Sequence, residues 1–196
     1  METTSYFIGL ELKPSSFTDL FVAIQTFLKA NRIEDTAIIQ NILSLHITLY
    51  YLSNEYVHNH IHLIQKEIDT ANTLLQGNTF TVKGINFFST TETKRTYYLK
   101  PDNQTILKAI NTHLDTTLQV FEVQENTYKY IPHITLFTLT LEKEEVKLFT
   151  QLETILRNEL LNLRDISISK EIQLYAINSK YSPEIQIPYN HKNINK

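Results

Sequence analysis

One four-residue phrase occurs twice in this chain: His46-Ile47-Thr48-Leu49 returns as His133-Ile134-Thr135-Leu136. Each copy sits in an aliphatic, β-branched and aromatic run, Leu45 to Leu52 and Tyr130 to Leu139. Such runs have the composition of strands. Recurrence of the tetrapeptide by chance, in a chain of this composition, is on the order of a few per cent. The repeat therefore constrains the fold to two similar strand-bearing segments. Strand side chains alternate between faces, so His46 shares a face with Thr48, and His133 with Thr135.

At 196 residues the chain reads as one domain, spanning 1–196, built from two small lobes. Its 42% hydrophobic content supports a sizeable core. A net charge of -3 argues against a protein that coats long duplexes through counterion release, while a short anionic ligand needs only a few donors. The chain has no cysteine, which excludes disulfides and thiolate metal sites. No apolar run approaches the roughly 20 residues of a membrane span. The start, Met-Glu-Thr-Thr-Ser-Tyr, has no basic region leading into an apolar stretch. A cytoplasmic monomer without membrane contact is the expectation. Only Gly9, Gly77 and Gly84 occur as glycines, so there is no phosphate-cradling glycine loop or dinucleotide fingerprint.

Periodicity gives the order of elements. Tyr6 to Leu12 reads as a strand. A helix follows from Pro14-Ser15-Ser16, with Ser16 and Asp19 spaced as a capping box. Asn31 to Thr36 is a turn region, and Ile42 to Leu52 holds the first motif. A helix covers about Val57 to Leu75. Phe80 to Phe88 and Thr96 to Lys100 form an adjacent antiparallel pair. A helix starts at Pro101-Asp102, and Tyr130 to Leu139 holds the second motif. The acidic Glu142, Glu144 and Glu145 suit a helix N-terminus for a segment running to about Leu160. Ile166 to Ser179 and Glu184 to Ile187 close the chain as strands, with Tyr189 to Lys196 as a polar end. This is an α+β pattern of two loosely similar parts around a central cleft.

Two imidazoles facing one cleft, each beside a hydroxyl, suit acid–base chemistry on a phosphate ester. Imidazole titrates near neutral pH and serves as base or acid. His46 and His133 are the candidate catalytic residues, and Thr48 and Thr135 the candidate phosphate donors. Either histidine alone reads as a satisfied sheet residue; the duplicated context separates the pair from that reading. His58, His60 and His62 superficially suggest a metal site, but i and i+2 on a helix do not share a face. Neither cysteine nor clustered carboxylates complete a ligand set, so no metal and no cofactor are expected. Tyr130 and Tyr181 are candidate base-stacking aromatics. His113 and His191 need no functional reading.

The paired motifs, the Pro132-His133 junction preceded by aromatic Tyr130, and the order of elements across nearly the whole chain resemble the 2H phosphoesterase superfamily. These are the LigT-like and 2′-5′ RNA ligase-like proteins. The resemblance implies a bilobal fold of pseudo-two-fold symmetry with antiparallel sheets flanked by helices and a metal-free central cleft. It implies phosphodiesterase activity on a short oligonucleotide or cyclic nucleotide: a 2′-5′-linked or cyclic oligonucleotide, or a 2′,3′-cyclic phosphate. Relatives often carry a basic residue where Lys94-Arg95 stands, which makes Arg95 a candidate substrate contact. The basic residue that many relatives have after the second motif is replaced here by Leu136-Phe137-Thr138. Several viral and phage relatives dismantle oligonucleotide alarm signals, and the Asn- and Ile-rich composition fits an AT-rich genome of that kind. The competing expectation is a binding module that sequesters such a nucleotide without turnover.

Overall fold

The computed structural model describes residues 5–12, 17–119, 130–161, 163, 168–177 and 187–188. The expected cap Ser16, the candidate Tyr181, the start of the last expected strand at Glu184 and the polar end Tyr189 to Lys196 lie outside the described residues. In chain order the elements are β1 (Ser5–Leu12), α1 (Thr18–Asn31), β2 (Ala37–Ile39), β3 (His46–Leu52), α2 (Asn54–Leu75), β4 (Val82–Thr91), β5 (Lys94–Pro101), α3 (Gln104–Leu118), β6 (Ile134–Thr140), α4 (Lys147–Leu160), β7 (Ile168–Ile177) and β8 (Ile187–Pro188). The strands form two antiparallel sheets, ordered β3-β1-β7-β8 and β2-β6-β5-β4. This is the expected α+β architecture of two lobes, with one His-x-Thr strand in each.

Three local expectations change. The segment before the first motif is a short strand, β2, followed by a 3-10 turn at Ile42–Ser44, so the motif strand begins at His46 itself. Asn41 ends the strand by accepting the Leu43 N–H at 2.9 Å, a local turn that competes with extended pairing. α1 has Phe17, not Ser16, at its cap position, and no side chain caps it. The acidic stretch forms a capping box between Glu142 and Glu145 around a 3-10 turn that leads into α4.

The motif strands fold alike down to the pairing error they share. In β3, Ile8 pairs with Tyr50 and Gly9 with Thr48, leaving Leu49 as an extra residue. In β6, Tyr97 pairs with Phe137 and Tyr98 with Thr135, leaving Leu136 as an extra residue. Both are β-bulges at the fourth residue of the repeated phrase. Burial follows: Ile47, Leu49 and Tyr50 are buried, and so are Ile134, Leu136 and Phe137, while both histidines and both threonines stay half-buried. Two consecutive inward residues are possible only because the bulge resets the alternation. Tyr51 returns to the histidine-bearing face, opposite Phe7.

The helices are exchanged between lobes. α1 follows β1 of the first sheet but packs on α4, which rests on β4 of the second. α3 follows β5 of the second sheet but packs on β3 and α2 of the first. The aliphatic stripe of α3, Leu107, Ile110, Leu114 and Leu118, joins Val57, Ile64, Ile68, Ala71 and Leu75 of α2 in the core. Leu20, Ile24 and Leu28 of α1 join Phe149, Leu152 and Leu156 of α4. Periodicity locates these stripes but carries no information on which sheet each one covers.

Gly9 sits at the first bulge, where a side chain has no room. A Cβ there would lie 2.7 Å from the Ile47 carbonyl oxygen and 2.9 Å from the Phe7 ring. Gly9→Ala is therefore expected to cost about 1–3 kcal/mol by forced backbone displacement, measured by urea denaturation. Gly84→Ala on β4, where nothing lies within 4 Å, serves as the control and is expected to be neutral or mildly stabilising.

Candidate active site

The site forms where β3 lies against β6. On each strand the alternation turns the aliphatic residues toward the helices and leaves histidine and threonine on the opposite face. His46 Nδ1 lies 2.9 Å from the Ser44 carbonyl oxygen, and His133 Nδ1 lies 2.8 Å from that of Ile131. A carbonyl can only accept, so Nδ1 carries the proton in both rings. Each neutral imidazole then holds its lone pair on Nε2, and each imidazolium holds its transferable proton there. The same main-chain device, a carbonyl two residues upstream, fixes the tautomer at both positions.

Aromatic rings frame both imidazoles. Phe7 of β1 lies 4.5 Å from His46, centroid to centroid, and stacks at 5.0 Å on Tyr175 of β7. Phe88 and Tyr98 stack on each other at 4.3 Å, and His133 meets them at 5.1 and 5.4 Å. These residues were not singled out from the sequence. The available signal was that Phe7 and Tyr98 fall on strand positions facing away from the helices, where a large apolar residue needs another partner.

Burial sets the electrostatics. It pushes the His46 pKa below its ordinary value of 6.5; the Ser44 carbonyl opposes the shift and the charge of His133 adds to it. Burial also lowers the His133 pKa, against the Ile131 carbonyl. The charge of His133 thus acts on His46 in the direction that disfavours its protonation. The hydroxyls of Thr48 and Thr135 have no hydrogen-bond partner among the described residues, so both remain available on the histidine-bearing face.

Two other candidates are placed differently. Arg95 lies on the helix side of its sheet, on the face opposite Tyr98. Its guanidinium is 2.5 Å from Glu153 of α4 and is sandwiched between the rings of Phe87 and Phe149, at 4.2 and 4.3 Å. Tyr97 donates to the same carboxylate at 3.2 Å. Arg95 is therefore a packing cation beneath α4 and is not brought to the histidine pair. The strand alternation decides this: Arg95 and Tyr97 point one way, Thr96 and Tyr98 the other. Tyr130 is brought to the pair, but its hydroxyl is engaged internally, donating to the Thr48 carbonyl at 2.8 Å. His58 and His60 are exposed and turn their Nδ1 atoms to carbonyls of their own helix, Asn54 and Tyr56. Among the described residues no group of three or more His, Cys, Asp or Glu side chains could hold a metal ion. Nor is any of their helices long and apolar enough to cross a membrane.

The family model of the AKAP7 2′5′ RNA ligase-like domain matches residues 4–166. The chain belongs to this family. It is thereby a member of the 2H phosphoesterase superfamily, and solved structures share its fold at low identity. A conserved protein of unknown function from Agrobacterium tumefaciens is 10% identical, with a TM-score of 0.55 over 96% of this chain and 85% of that one. Kluyveromyces marxianus Usb1, solved with uridine monophosphate, is 10% identical, with a TM-score of 0.53 over 96% and 99%. E. coli LigT, solved with 3′-AMP, is 14% identical, with a TM-score of 0.51 over 97% and 96%. No curated protein matches the sequence. For this 2H phosphoesterase, the packing role of Arg95 has a measurable signature. Arg95→Lys keeps the charge but loses the flat stacking surface and the fork to Glu153. It is expected to cost about 1–2 kcal/mol in urea denaturation, nearly as much as Arg95→Ala. Full retention of stability by lysine would return Arg95 to the list of simple surface cations.

Proposed function

We propose that this 2H phosphoesterase is a metal-independent phosphodiesterase that cleaves a small RNA-like substrate. The substrate is a 2′-5′-linked or cyclic oligonucleotide, or a 2′,3′-cyclic phosphate. The observation that carries this reading is the matched presentation of His46 and His133. Each has Nδ1–H tied to a carbonyl and Nε2 left for proton transfer, with a threonine hydroxyl two residues further on the same face.

Cleavage next to a free ribose hydroxyl needs one neutral and one protonated imidazole. The neutral Nε2 takes the hydroxyl proton, the resulting oxygen bonds to phosphorus, and the bond from phosphorus to the leaving oxygen breaks. The protonated Nε2 delivers its proton to that leaving oxygen. Thr48 and Thr135 donate to the non-bridging oxygens, where charge accumulates. With a 2′,3′-cyclic phosphate, water takes the place of the attacking hydroxyl and the same pair serves. The two imidazoles thus supply both proton transfers. The net charge of -3 suits a short substrate held by local donors. Removal of an oligonucleotide defence signal is the biological role we attach to this chemistry.

The test is a turnover panel with EDTA present: 2′-5′ oligoadenylate, cyclic di- and trinucleotides, a 3′-5′ control and nucleoside 2′,3′-cyclic phosphates. One class is expected to be cleaved, with His46→Ala and His133→Ala each losing at least about 10²-fold to 10⁴-fold. Thr48→Val and Thr135→Val are each expected to lose about 10²-fold. Tight binding of one member with no turnover by the folded wild type would replace the enzyme reading with that of a sequestering module. The pH dependence carries its own sign. Both imidazoles are held below 6.5, so in the free enzyme the protonated partner is lost as pH rises through that depressed range. The kcat/KM profile is expected to be bell-shaped with its maximum below 6.5 and a decline toward neutrality, its limbs belonging to the coupled pair. A maximum above neutral pH would contradict this.

A further inference from the structure

Tyr130 stands three residues before His133, in the segment leading into β6. Its hydroxyl crosses to the other lobe and donates to the Thr48 carbonyl at 2.8 Å. Thr48 is itself two residues beyond His46. One hydrogen bond thus joins the approach to the second motif to the backbone of the first. The acceptor is main chain at the edge of the Leu49 bulge, so its position is set by the strand and not by a rotamer. Burial, with the Tyr51 hydroxyl nearby, raises the Tyr130 pKa, and the group stays a proton donor wherever histidine titrates. The neighbouring carbonyl of Leu49 is held from the same half of the chain, by Asn111 of α3 at 2.7 Å.

We propose that Tyr130 is a positioning residue: its hydroxyl fixes the separation of His46 and His133 by fastening the approach to one motif onto the backbone of the other. A tyrosine suits this task. It spans the gap with a rigid ring and only two side-chain torsions, so the distance it sets varies little. In-line transfer requires both Nε2 atoms to address one phosphorus from opposite sides, and a displacement of about 1 Å costs roughly 10²-fold in rate. The kinetic consequence rests on the phosphodiesterase reading; the positioning itself does not.

The experiment compares full-length wild type, Tyr130→Phe and His133→Ala. The phenylalanine variant keeps the ring and removes only the bond. Titration of His46 is followed by NMR of ring-labelled histidine, assigned with His46→Ala. Glu11 of β1 pairs opposite His46, Phe7 packs on the His46 ring and Tyr175 stacks on Phe7, and all three are kept in every protein compared. His133→Ala removes the repulsion and is expected to raise the His46 midpoint. Tyr130→Phe is expected to raise it in the same direction, part of the way, while kcat falls about 10-fold to 10²-fold with KM within about threefold of wild type. An unchanged His46 midpoint in Tyr130→Phe overturns the proposal, and so does a further rise when Tyr130→Phe is added to His133→Ala, because loosened burial would act on His46 without His133 whereas a changed separation would not. If the wild type cleaves no phosphodiester, the enzyme reading falls, and the NMR comparison alone still decides the positioning role.

Discussion

The architecture depends on how two bulged strands satisfy their carbonyls. A bulge takes one residue out of the ladder and leaves its backbone groups in need of partners, and a buried carbonyl without one is costly. At the first motif the Leu49 carbonyl is taken by Asn111 and the Thr48 carbonyl by Tyr130, both from later in the chain. At the second motif the Leu136 carbonyl accepts from the Gln40 backbone N–H at 2.8 Å, which comes from earlier in the chain. Each histidine strand is thus completed by a donor from the other side of the sequence. At the first bulge the Tyr130 bond also ties the approach to β6 to β3, while at the second bulge Gln40 comes from the end of β2, within the same sheet.

This arrangement explains why the site can face both ways at once. The bulge lets Leu49 and Tyr50, or Leu136 and Phe137, fill the core in succession while histidine and threonine stay on the opposite face. Aromatic side chains then take the place of a helix layer on that face. Phe7, Tyr175, Phe88 and Tyr98 shield the imidazoles enough to depress their pKa values, yet leave both rings half-buried and not sealed. Gly9 is part of the same construction, since its missing side chain is what allows Phe7 to lie against His46.

The sequence carried its information unevenly. Periods of 2 and 3.6 residues located the helices, the motif strands and the β4–β5 pair, because each buries a face whose pattern is visible within a dozen residues. The histidine and threonine candidates follow from the repeated tetrapeptide together with strand alternation, both visible locally. What depends on partners distant in sequence was not legible. β2 is three residues long and exists because β6 offers it an edge. Arg95 looked like a substrate contact until the alternation of β5 was anchored by Tyr98 against His133. Tyr130 has the local signature of a stacking ring, since nothing nearby in sequence says that its hydroxyl has an acceptor 82 positions away. The exchange of α1 and α3 between sheets leaves no trace in their own amphipathic patterns.

β1 is the first element of the chain and the second strand of its sheet, with β3 on one edge and β7 on the other. Its pairing partner on that second edge begins at Ile168, near the end of the chain. During synthesis the strand that holds Phe7 and Gly9 therefore keeps an open edge until Ile168–Ile177 have been made. Closure of that edge spans a very long loop, and contacts of that kind slow folding. An exposed β edge with apolar residues is also a template for pairing with a neighbouring chain. The interlacing that joins the two motifs in the folded molecule thus leaves a hazard in the interval of roughly ten seconds before the site exists, when a nascent chain carries a finished first motif beside an unfinished sheet.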